Sequence, residues 1–284
     1  MRVEKFPDAG TKVQASEFLI TSGGQSGNAA VAVARLGGKV SFAGPLGGYD
    51  DEVADRIVGI LTRENIDCSR ALRVPGALSS VSLILVDARG EKMIATRRNQ
   101  GLNAVAPADA DAAVGGVDAV LLDIHYPNFV TPICLAARKR GVPRVLDLDR
   151  AVPADDPLLN ACSHVIASAE ALRGSTGIAD LPAALKKLGQ SYEGFLAFTD
   201  GADGTYWLDG GEVRHMAAFK VDAVDTLGAG DVFHGAFTYR LVESGDVIDS
   251  MRFGAAAAAI KCTRFGGLMG AATRAEVDDF LKKN

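Results

Sequence analysis

A run of small residues that ends in a carboxylate and passes directly into a helix constrains the fold of this chain most strongly. The run consists of Gly228, Ala229 and Gly230, and Asp231 follows it. Apolar residues at helical spacing over 232–241 predict an amphipathic helix with one buried face. The small residues then lie at the N-terminus of this helix, where unpaired N–H groups and the helix dipole favour an anion such as phosphate.

Asp231 needs its own explanation, because a carboxylate repels a bound phosphate. It could be the base that takes a proton from a hydroxyl group attacking phosphorus, since phosphoryl transfer needs both a base and an anion hole. It could equally be an ordinary acid of a first helical turn. The residues alone leave both interpretations open. Neither a Walker A loop nor a Rossmann fingerprint is present, because Gly-Lys-Ser/Thr does not occur and Phe233 replaces the third fingerprint glycine.

The middle of the chain alternates short apolar strands with helices. The predicted strands and helices cover 118–124, 131–140, 142–148, 164–167 and 181–188. This spacing predicts βαβ units, and hence a parallel sheet with helices on both faces. Ligand sites in such sheets lie at the carboxyl ends of the strands. Residues just past these ends include His125, Asp147, Asp149 and Ser168. His125 is open to two interpretations, as a substrate ligand or as a structural histidine.

Composition limits the partners and the compartment. The 284 residues are 48% hydrophobic and carry a formal net charge of -5. This balance is typical of a globular protein and argues against a nucleic-acid or anionic-membrane partner. The sequence contains no apolar run of membrane-spanning length and no visible secretory signal. A cytoplasmic protein is therefore expected.

The stretch from Asp225 to Gly235 reads D-T-L-G-A-G-D-V-F-H-G. It resembles the C-terminal signature of the ribokinase-like (PfkB) carbohydrate kinases, D-T-x-G-A-G-D-x-F-x-G, at every fixed position. The resemblance implies that Asp231 is the catalytic base and that the residues Gly228, Ala229 and Gly230 form the anion hole. It also implies one α/β domain over 1–284, a ribokinase-like three-layer sandwich. Its mostly parallel central sheet has helices on both faces, and a small antiparallel β lid is added.

The lid is expected from about 11–21 and 78–98, where the residue pattern predicts exposed antiparallel strands. In the resembling family such strands cover the sugar and often pair between subunits, so a homodimer is implied. A plain extension of the sheet is the alternative. The family also opens with an apolar core strand, which this sequence does not show. A first core strand missing ahead of Met1 is therefore expected.

Two further glycine-rich segments match the family. The pattern G-G-x-x-x-N before an alanine-rich helix implies that Gly24 and Asn28 contact the sugar, although the residues alone suit a tight turn with Asn28 as N-cap. The pattern T-x-G-x-x-G implies that Thr199, Gly201 and Gly204 contact ATP, although the residues alone suit a hairpin turn.

The resemblance implies ATP and Mg²⁺ as cofactors, with K⁺ as a further hypothesis. Ser168 and Glu170 stand where the family has N-x-x-E, a pattern that helps to hold Mg²⁺ and phosphates through water. Serine replaces the asparagine here, and Glu170 is one position early. Asp225 is the implied side-chain ligand of K⁺, and backbone carbonyls near 261–267 would complete that site.

The sequence says least about which sugar is the substrate. Several segments resemble a branch that includes ketohexokinase-like and sulfofructose kinases, and Lys12 matches a lysine that contacts a sulfonate in the latter. His125 and Thr96 replace the accompanying arginine and asparagine, which favours a ketose or ribose over a sulfosugar. Arg97 and Arg98 leave an acidic sugar open. The alternatives are a nucleoside kinase of the same fold and a sugar-binding regulator without catalysis.

Overall fold

The computed structural model describes residues 1–284. Its strands are Arg2–Val3 (β1), Ala15–Glu17 (β2), Ser41–Gly47 (β3), Asp67–Val74 (β4), Val81–Val86 (β5), Lys92–Arg97 (β6), Val120–Asp123 (β7), Arg144–Leu148 (β8), His164–Ser168 (β9), Phe195–Thr199 (β10), Thr205–Asp209 (β11) and Glu212–Met216 (β12). Its α-helices are Gln25–Arg35 (α1), Glu52–Arg63 (α2), Ala110–Ala113 (α3), Pro127–Lys139 (α4), Pro157–Ala161 (α5), Ala169–Thr176 (α6), Leu181–Gly189 (α7), Ala229–Ser244 (α8), Val247–Cys262 (α9) and Arg274–Lys283 (α10). No helix combines the length and the apolar character that crossing a membrane requires.

A six-stranded sheet forms the centre of the molecule, in the order β12-β11-β10-β9-β8-β7. β7 to β10 run parallel, and β11 and β12 extend the sheet antiparallel. Successive residues of these strands face opposite layers, as strand geometry requires. Leu146 and Val165 join the core cluster with α4 to α7, whereas Val145 and Ile166 pack against α8 and α9. The predicted α/β fold, with helices on both faces of a mostly parallel sheet, is confirmed.

A second sheet pairs β3 with β4 in parallel, and no hydrogen-bonded ladder joins it to β7. The helices α1 and α4 each contact both β3 and β7, so they bridge the two sheets. The parallel sheet predicted from the strand–helix alternation is therefore divided into two hydrogen-bonded parts. The core strand expected ahead of Met1 stays a prediction.

Four short strands form a third sheet, in the order β2-β1-β5-β6. It draws on the two segments expected to form the lid, but the strand predicted within 11–21 is limited to Ala15–Glu17. The reason is its partner, because β2 pairs only with the two-residue strand β1, in an irregular register. β5 and β6 form a regular antiparallel pair. The exposed apolar side chains of this pair are Val81, Leu83, Met93 and Ile94.

Helix α8 is enclosed by the molecule on most sides. The sequence predicts one buried face, but every residue from 232 to 238 is buried. That prediction was wrong because α8 packs against α1, α9 and the strands β7 and β8 at once. Gly235 permits a close contact with α1, since a Cβ atom there would lie 2.6 Å from the Ala29 carbonyl oxygen. The N-terminal halves of α1 and α8 are therefore neighbours.

Candidate active site

The turn before α8 leaves amide groups free for an anion. Gly228 is the N-cap of the helix and has a left-handed backbone with φ of 76°, which favours glycine. No backbone oxygen accepts a hydrogen bond from the amides of Gly228, Gly230 or Asp231, whereas the Ala229 amide donates to the Thr226 carbonyl at 3.2 Å. The turn thus presents three free amides at a helix N-terminus. The Ala229 amide, which was expected to be one of them, is occupied, and the Asp231 amide is free instead.

Asp231 lies in the first turn of α8 and contacts α1. The side-chain amide Nδ2 of Asn28 donates a hydrogen bond to its Oδ2 at 2.5 Å. Asn28 lies inside α1, whose N-cap is Gly24, so Asn28 is not a helix cap. Burial raises the pKa of the Asp231 carboxyl to about 7, and the charge of Asp147 adds to this, although the bond from Asn28 acts in the opposite direction. Such a carboxyl is suited to accept a proton at neutral pH.

His234 links α8 to the central sheet. Its ring is buried, with Nδ1 2.8 Å from the Gly230 carbonyl oxygen and Nε2 3.1 Å from the Ile166 carbonyl oxygen. Nδ1 also lies 3.4 Å from Oδ2 of Asp147. Burial lowers the pKa of His234, and the two carbonyl contacts oppose that shift. A neutral ring can donate to only one of the two carbonyl oxygens, which is why these contacts oppose the effect of burial, but burial outweighs them and the pKa stays below its ordinary value. No sequence pattern predicts this arrangement, because it joins residues that are far apart in the chain.

Acidic residues line the carboxyl ends of β7 and β8. Asp123 and Asp147 are paired in register on adjacent strands. Burial, together with the charges of Asp149 and Asp123, holds the pKa of Asp147 well above its usual range. Asp123 accepts hydrogen bonds from the Ser26 hydroxyl and from the His125 amide. The strand ends that the sequence identified as a ligand region therefore carry carboxyl groups next to the first turn of α1.

His125 lies at the same edge, between an arginine side chain and an aspartate side chain. Its Nδ1 is 3.1 Å from Nη1 of Arg98, and its Nε2 is 3.8 Å from Oδ2 of Asp149. Tyr126, which follows it, has a left-handed backbone with φ of 54°, so the chain turns sharply into α4. Lys12 lies exposed in the loop between β1 and β2. The structure thus gives His125 polar partners at the strand ends and leaves Lys12 open to solvent.

The residues predicted to contact the nucleotide lie partly at the ends of two strands and partly in the turn that follows β10. Ser168 and Thr199 end the adjacent parallel strands β9 and β10 and are paired in register. The Ser168 hydroxyl also caps α6 by accepting a backbone hydrogen bond. Gly201 lies in a short 3-10 turn between β10 and β11. Gly204 has a packing role of its own, because a Cβ atom there would lie 2.2 Å from the Met216 carbonyl oxygen.

Glu170 is the residue expected to help hold Mg²⁺. It lies exposed in the first turn of α6, two residues after Ser168. No group of three or more His, Cys, Asp or Glu side chains is arranged to hold a metal ion. Mg²⁺ that binds together with nucleotide phosphates keeps several waters and needs only one or two carboxylates. An exposed acid beside the end of β9 fits that mode of binding.

Asp225 is buried, and hydrogen-bond donors surround its carboxylate. Oδ1 accepts a bond from the Leu227 amide at 2.8 Å, and Oδ2 accepts bonds from the Gly266 and Gly267 amides at 3.0 and 3.2 Å. Nζ of Lys261 lies 3.5 Å from Oδ2 and 2.6 Å from the Asp225 carbonyl oxygen. Burial on its own raises the pKa of Asp225, but these donors outweigh it and hold the pKa below its ordinary value. The expected K⁺ ligand therefore has an ammonium group as its partner.

Buried oxygen atoms without a hydrogen-bond partner lie on the segment before α1 and on the first residue of that helix. They are Oγ1 of Thr21, Oγ of Ser22 and Oε1 of Gln25. Gln25 also lines a narrow cleft with Asp123 and Asp147. An unpartnered buried oxygen costs free energy, so each of these atoms is suited to accept a hydrogen bond from a ligand hydroxyl. A larger cavity of about 650 Å³ lies between α2 and residues 19–21. Thr21 lines this cavity, but none of the predicted site residues does.

Known proteins are similar to this chain in both sequence and fold. Residues 1–273 match the family model described as pfkB family carbohydrate kinase. The chain is 30% identical over 289 residues to a ribokinase of Haemophilus influenzae, in an alignment that covers 99% of this chain and 94% of that relative. This similarity spans the signature turn and the whole central sheet.

Solved structures agree with this relationship. A crystal structure from Agrobacterium tumefaciens, provisionally assigned as a ribokinase, superposes with a TM-score of 0.94 at 35% identity and covers 99% of this chain and 93% of that one. A ribokinase of Thermotoga maritima gives a TM-score of 0.79 at 27% identity, with 99% and 94% covered. The chain therefore belongs to the pfkB family of carbohydrate kinases and is a phosphotransferase that acts on a sugar hydroxyl.

Proposed function

We propose that this enzyme transfers the γ-phosphate of ATP to a hydroxyl group of a small sugar of the ribose or ketose class, in the cytoplasm, with Asp231 as general base. One observation carries the proposal. The Asp231 carboxylate directly follows the free amides of a helix N-terminus, and the Asn28 side chain orients it through a 2.5 Å hydrogen bond. A base and an anion hole on one turn are the two parts that phosphoryl transfer needs.

The chemical step follows from this arrangement. The sugar hydroxyl donates a hydrogen bond to Asp231, which takes the proton as the oxygen attacks the γ-phosphorus. The bond from that phosphorus to the β-γ bridging oxygen breaks, and ADP leaves with the electron pair. The amides of Gly228 and Gly230 stabilise the charge that moves across the transferring group. Mg²⁺, held through water by Glu170, would neutralise the phosphates of ATP.

The two substrates approach this turn from different strand ends. We place the sugar beside Gly24 and Asn28, with His125 and the unpartnered oxygens before α1 as further hydrogen-bonding groups. We place ATP along Ser168 and Thr199, which share the edge formed by β9 and β10. The ribokinases among the relatives support a ribose-like sugar. Lys12 remains a candidate contact from the loop between β1 and β2.

A substrate panel tests the proposal. ADP release from Mg·ATP is measured with ribose, deoxyribose, fructose, other ketoses, sugar acids and nucleosides. Turnover with one sugar and none with nucleosides is expected, because the strands β5 and β6 offer no aromatic side chain to stack on a base. Turnover with nucleosides alone would instead support the nucleoside kinase. Sugar binding by calorimetry with no ADP release from any member would support the binding protein and contradict the proposal.

The pH profile of the enzyme is expected to show an acid limb near pH 7. Only the ionised Asp231 carboxylate can accept the hydroxyl proton, and its pKa is about 7. The value of kcat/KM should therefore rise with pH up to about 7 and then level off. Asn28→Ala should move this limb to higher pH, because it removes a donor that favours the charged form. A profile that stays flat from pH 5.5 to 8 would contradict this role of Asp231.

We also propose that the sheet formed by β1, β2, β5 and β6 covers the sugar and pairs with its copy in a homodimer. Val81, Leu83 and Met93 share one face of the β5–β6 pair, and all three are exposed. Burying such side chains against a second copy would stabilise a dimer by about 1.5–3 kcal/mol for each fully buried side chain.

A double variant, Leu83→Glu with Met93→Glu, is expected to convert the dimer to a monomer. The two carboxylates would be desolvated at the interface, which costs more than the apolar contact gains. Leu135→Glu on α4 is the matched control, since that leucine is also exposed but lies outside this sheet. Light scattering after size exclusion gives the masses. A wild type that runs as a monomer would contradict the dimer, as would a double variant that stays dimeric.

A further inference from the structure

The buried ion pair between Lys261 and Asp225 has no part in the proposed chemistry, yet it lies at the start of the signature turn. Lys261 is the penultimate residue of α9, and its side chain is 0% exposed. A lysine is almost never fully buried unless its charge is paired. Its Nζ lies 2.6 Å from the carbonyl oxygen of Asp225 and 3.5 Å from its carboxylate.

These two oxygens are of the type that would surround a monovalent cation. The family resemblance implies K⁺ at this position, bound by the Asp225 carboxylate and by backbone carbonyls. An ammonium group has the same single positive charge as K⁺. Here it donates a hydrogen bond to the carbonyl oxygen and forms an ion pair with the carboxylate, the two kinds of oxygen that would otherwise coordinate the ion. K⁺ could bind there only by displacing a side chain that is covalently part of the protein. The residues around Asp225 therefore do not fit K⁺.

We propose that the Lys261 ammonium takes the place of the monovalent cation beside Asp225, so that this enzyme works without K⁺. The ammonium holds Asp225, the Asp225 carboxylate fixes the Leu227 amide, and Leu227 precedes the anion-binding turn at Gly228. The Asp225 amide also donates to the Cys262 carbonyl at the end of α9. Lys261 is thus a positioning residue for the free amides of the turn.

The first test needs only the wild type. Initial rates with Mg·ATP and the preferred sugar are compared in KCl, NaCl and choline chloride at equal ionic strength. Because the lysine supplies the positive charge, the rates in the three salts should agree within about twofold when the ionic strength, and hence the screening of charges, is the same. Activation by K⁺ of about tenfold or more, a typical size for coupling between sites, would overturn the proposal. This activity readout rests on the proposed kinase function.

Two variants separate a cation substitute from an ordinary structural ion pair. Lys261→Ala opens a space beside Asp225, whereas Lys261→Met fills that space without charge. Both should lose roughly tenfold to a hundredfold in kcat in choline chloride, because the turn is no longer held in place. Added KCl should restore the rate of Lys261→Ala alone. KCl should also raise the unfolding temperature of that variant alone, since an ion that binds only the folded state stabilises it.

The outcomes are distinct. If KCl changes neither the rate nor the unfolding temperature of Lys261→Ala, the lysine forms only a structural ion pair and the proposal is wrong. If the wild type phosphorylates no sugar, the kinase function fails, but the unfolding temperatures of the three proteins in KCl and choline chloride still test the cation substitution. If Lys261→Ala does not fold in either salt, the wild-type comparison decides.

Discussion

Asp231→Asn is expected to lower kcat by about 10²–10⁴-fold, because an amide cannot accept the proton of the sugar hydroxyl. The change preserves the shape of the side chain, and the amide oxygen can still accept the hydrogen bond from Asn28. Affinities for the sugar and for ATP should therefore change little. Steady-state ADP release gives kcat, and calorimetry with the sugar gives the affinity.

The stability of this variant provides an internal check. The pKa of Asp231 in the folded protein, about 7, lies above that of an aspartate in an unfolded chain. Its ionisation therefore costs stability as the pH rises towards 7, so removing the carboxylate should not lower the free energy of unfolding at neutral pH. Asp209→Asn makes the same chemical change at an exposed position and should keep the wild-type rate. If Asp231→Asn is as active as this control, another group removes the proton.

Gly235→Ala is expected to destabilise the fold, although alanine is the better helix former. The added Cβ would lie 2.6 Å from the Ala29 carbonyl oxygen and 3.1 Å from the Ala32 Cβ, so α1 and α8 must move apart. Overpacking of this kind costs about 1–3 kcal/mol, and Gly235→Val should cost more. The same movement draws Asn28 away from Asp231. A misplacement of about 1 Å that originates far from the reacting atoms can lower kcat by about 10²-fold.

Gly59→Ala is the matched control for this prediction. Gly59 also lies inside a helix, α2, but a Cβ there would meet only the end of the Arg63 side chain, at 3.7 Å. That change should raise the free energy of unfolding by about 0.5–1 kcal/mol, because a glycine loses more chain entropy than an alanine when it folds into a helix. Urea unfolding of the three proteins measures both effects. Equal effects of Gly235→Ala and Gly59→Ala would show that the contact between α1 and α8 is not tight.

Local patterns predicted much of the fold. The alternation over 118–188 indicated the parallel strands, because their apolar residues are contiguous and punctuated by turns. The small residues before Asp231 indicated the start of α8, which begins at Ala229. The pattern could not show that α8 is buried on most sides, since that depends on packing against α1 and α9. It also could not show that β3 and β4 form a separate sheet, because strand pairing is a long-range property.

The site was predictable to the extent that it is local in sequence. The turn over 228–231 is one continuous segment, and the structure leaves the amides of Gly228 and Gly230 free as expected, whereas the Ala229 amide donates to the Thr226 carbonyl. The contact between Asn28 and Asp231 joins residues far apart in the chain, and it depends on the small residue at Gly235. In the sequence, the region of Lys261 is named only for the backbone carbonyls implied around K⁺, and no pattern assigns a role to the lysine side chain. Only the folded chain shows that its ammonium meets Asp225.

The most direct measurement is the identification of the reaction product. Wild-type enzyme is incubated with Mg·ATP and the sugar that gives the highest turnover, and the product is analysed by phosphorus NMR and mass spectrometry. We predict one new phosphate monoester on the sugar, equimolar with ADP, and its loss in Asp231→Asn while sugar binding is retained. ADP formed without a sugar phosphate, or the same ester formed equally fast by Asp231→Asn, would contradict a sugar kinase with Asp231 as its base.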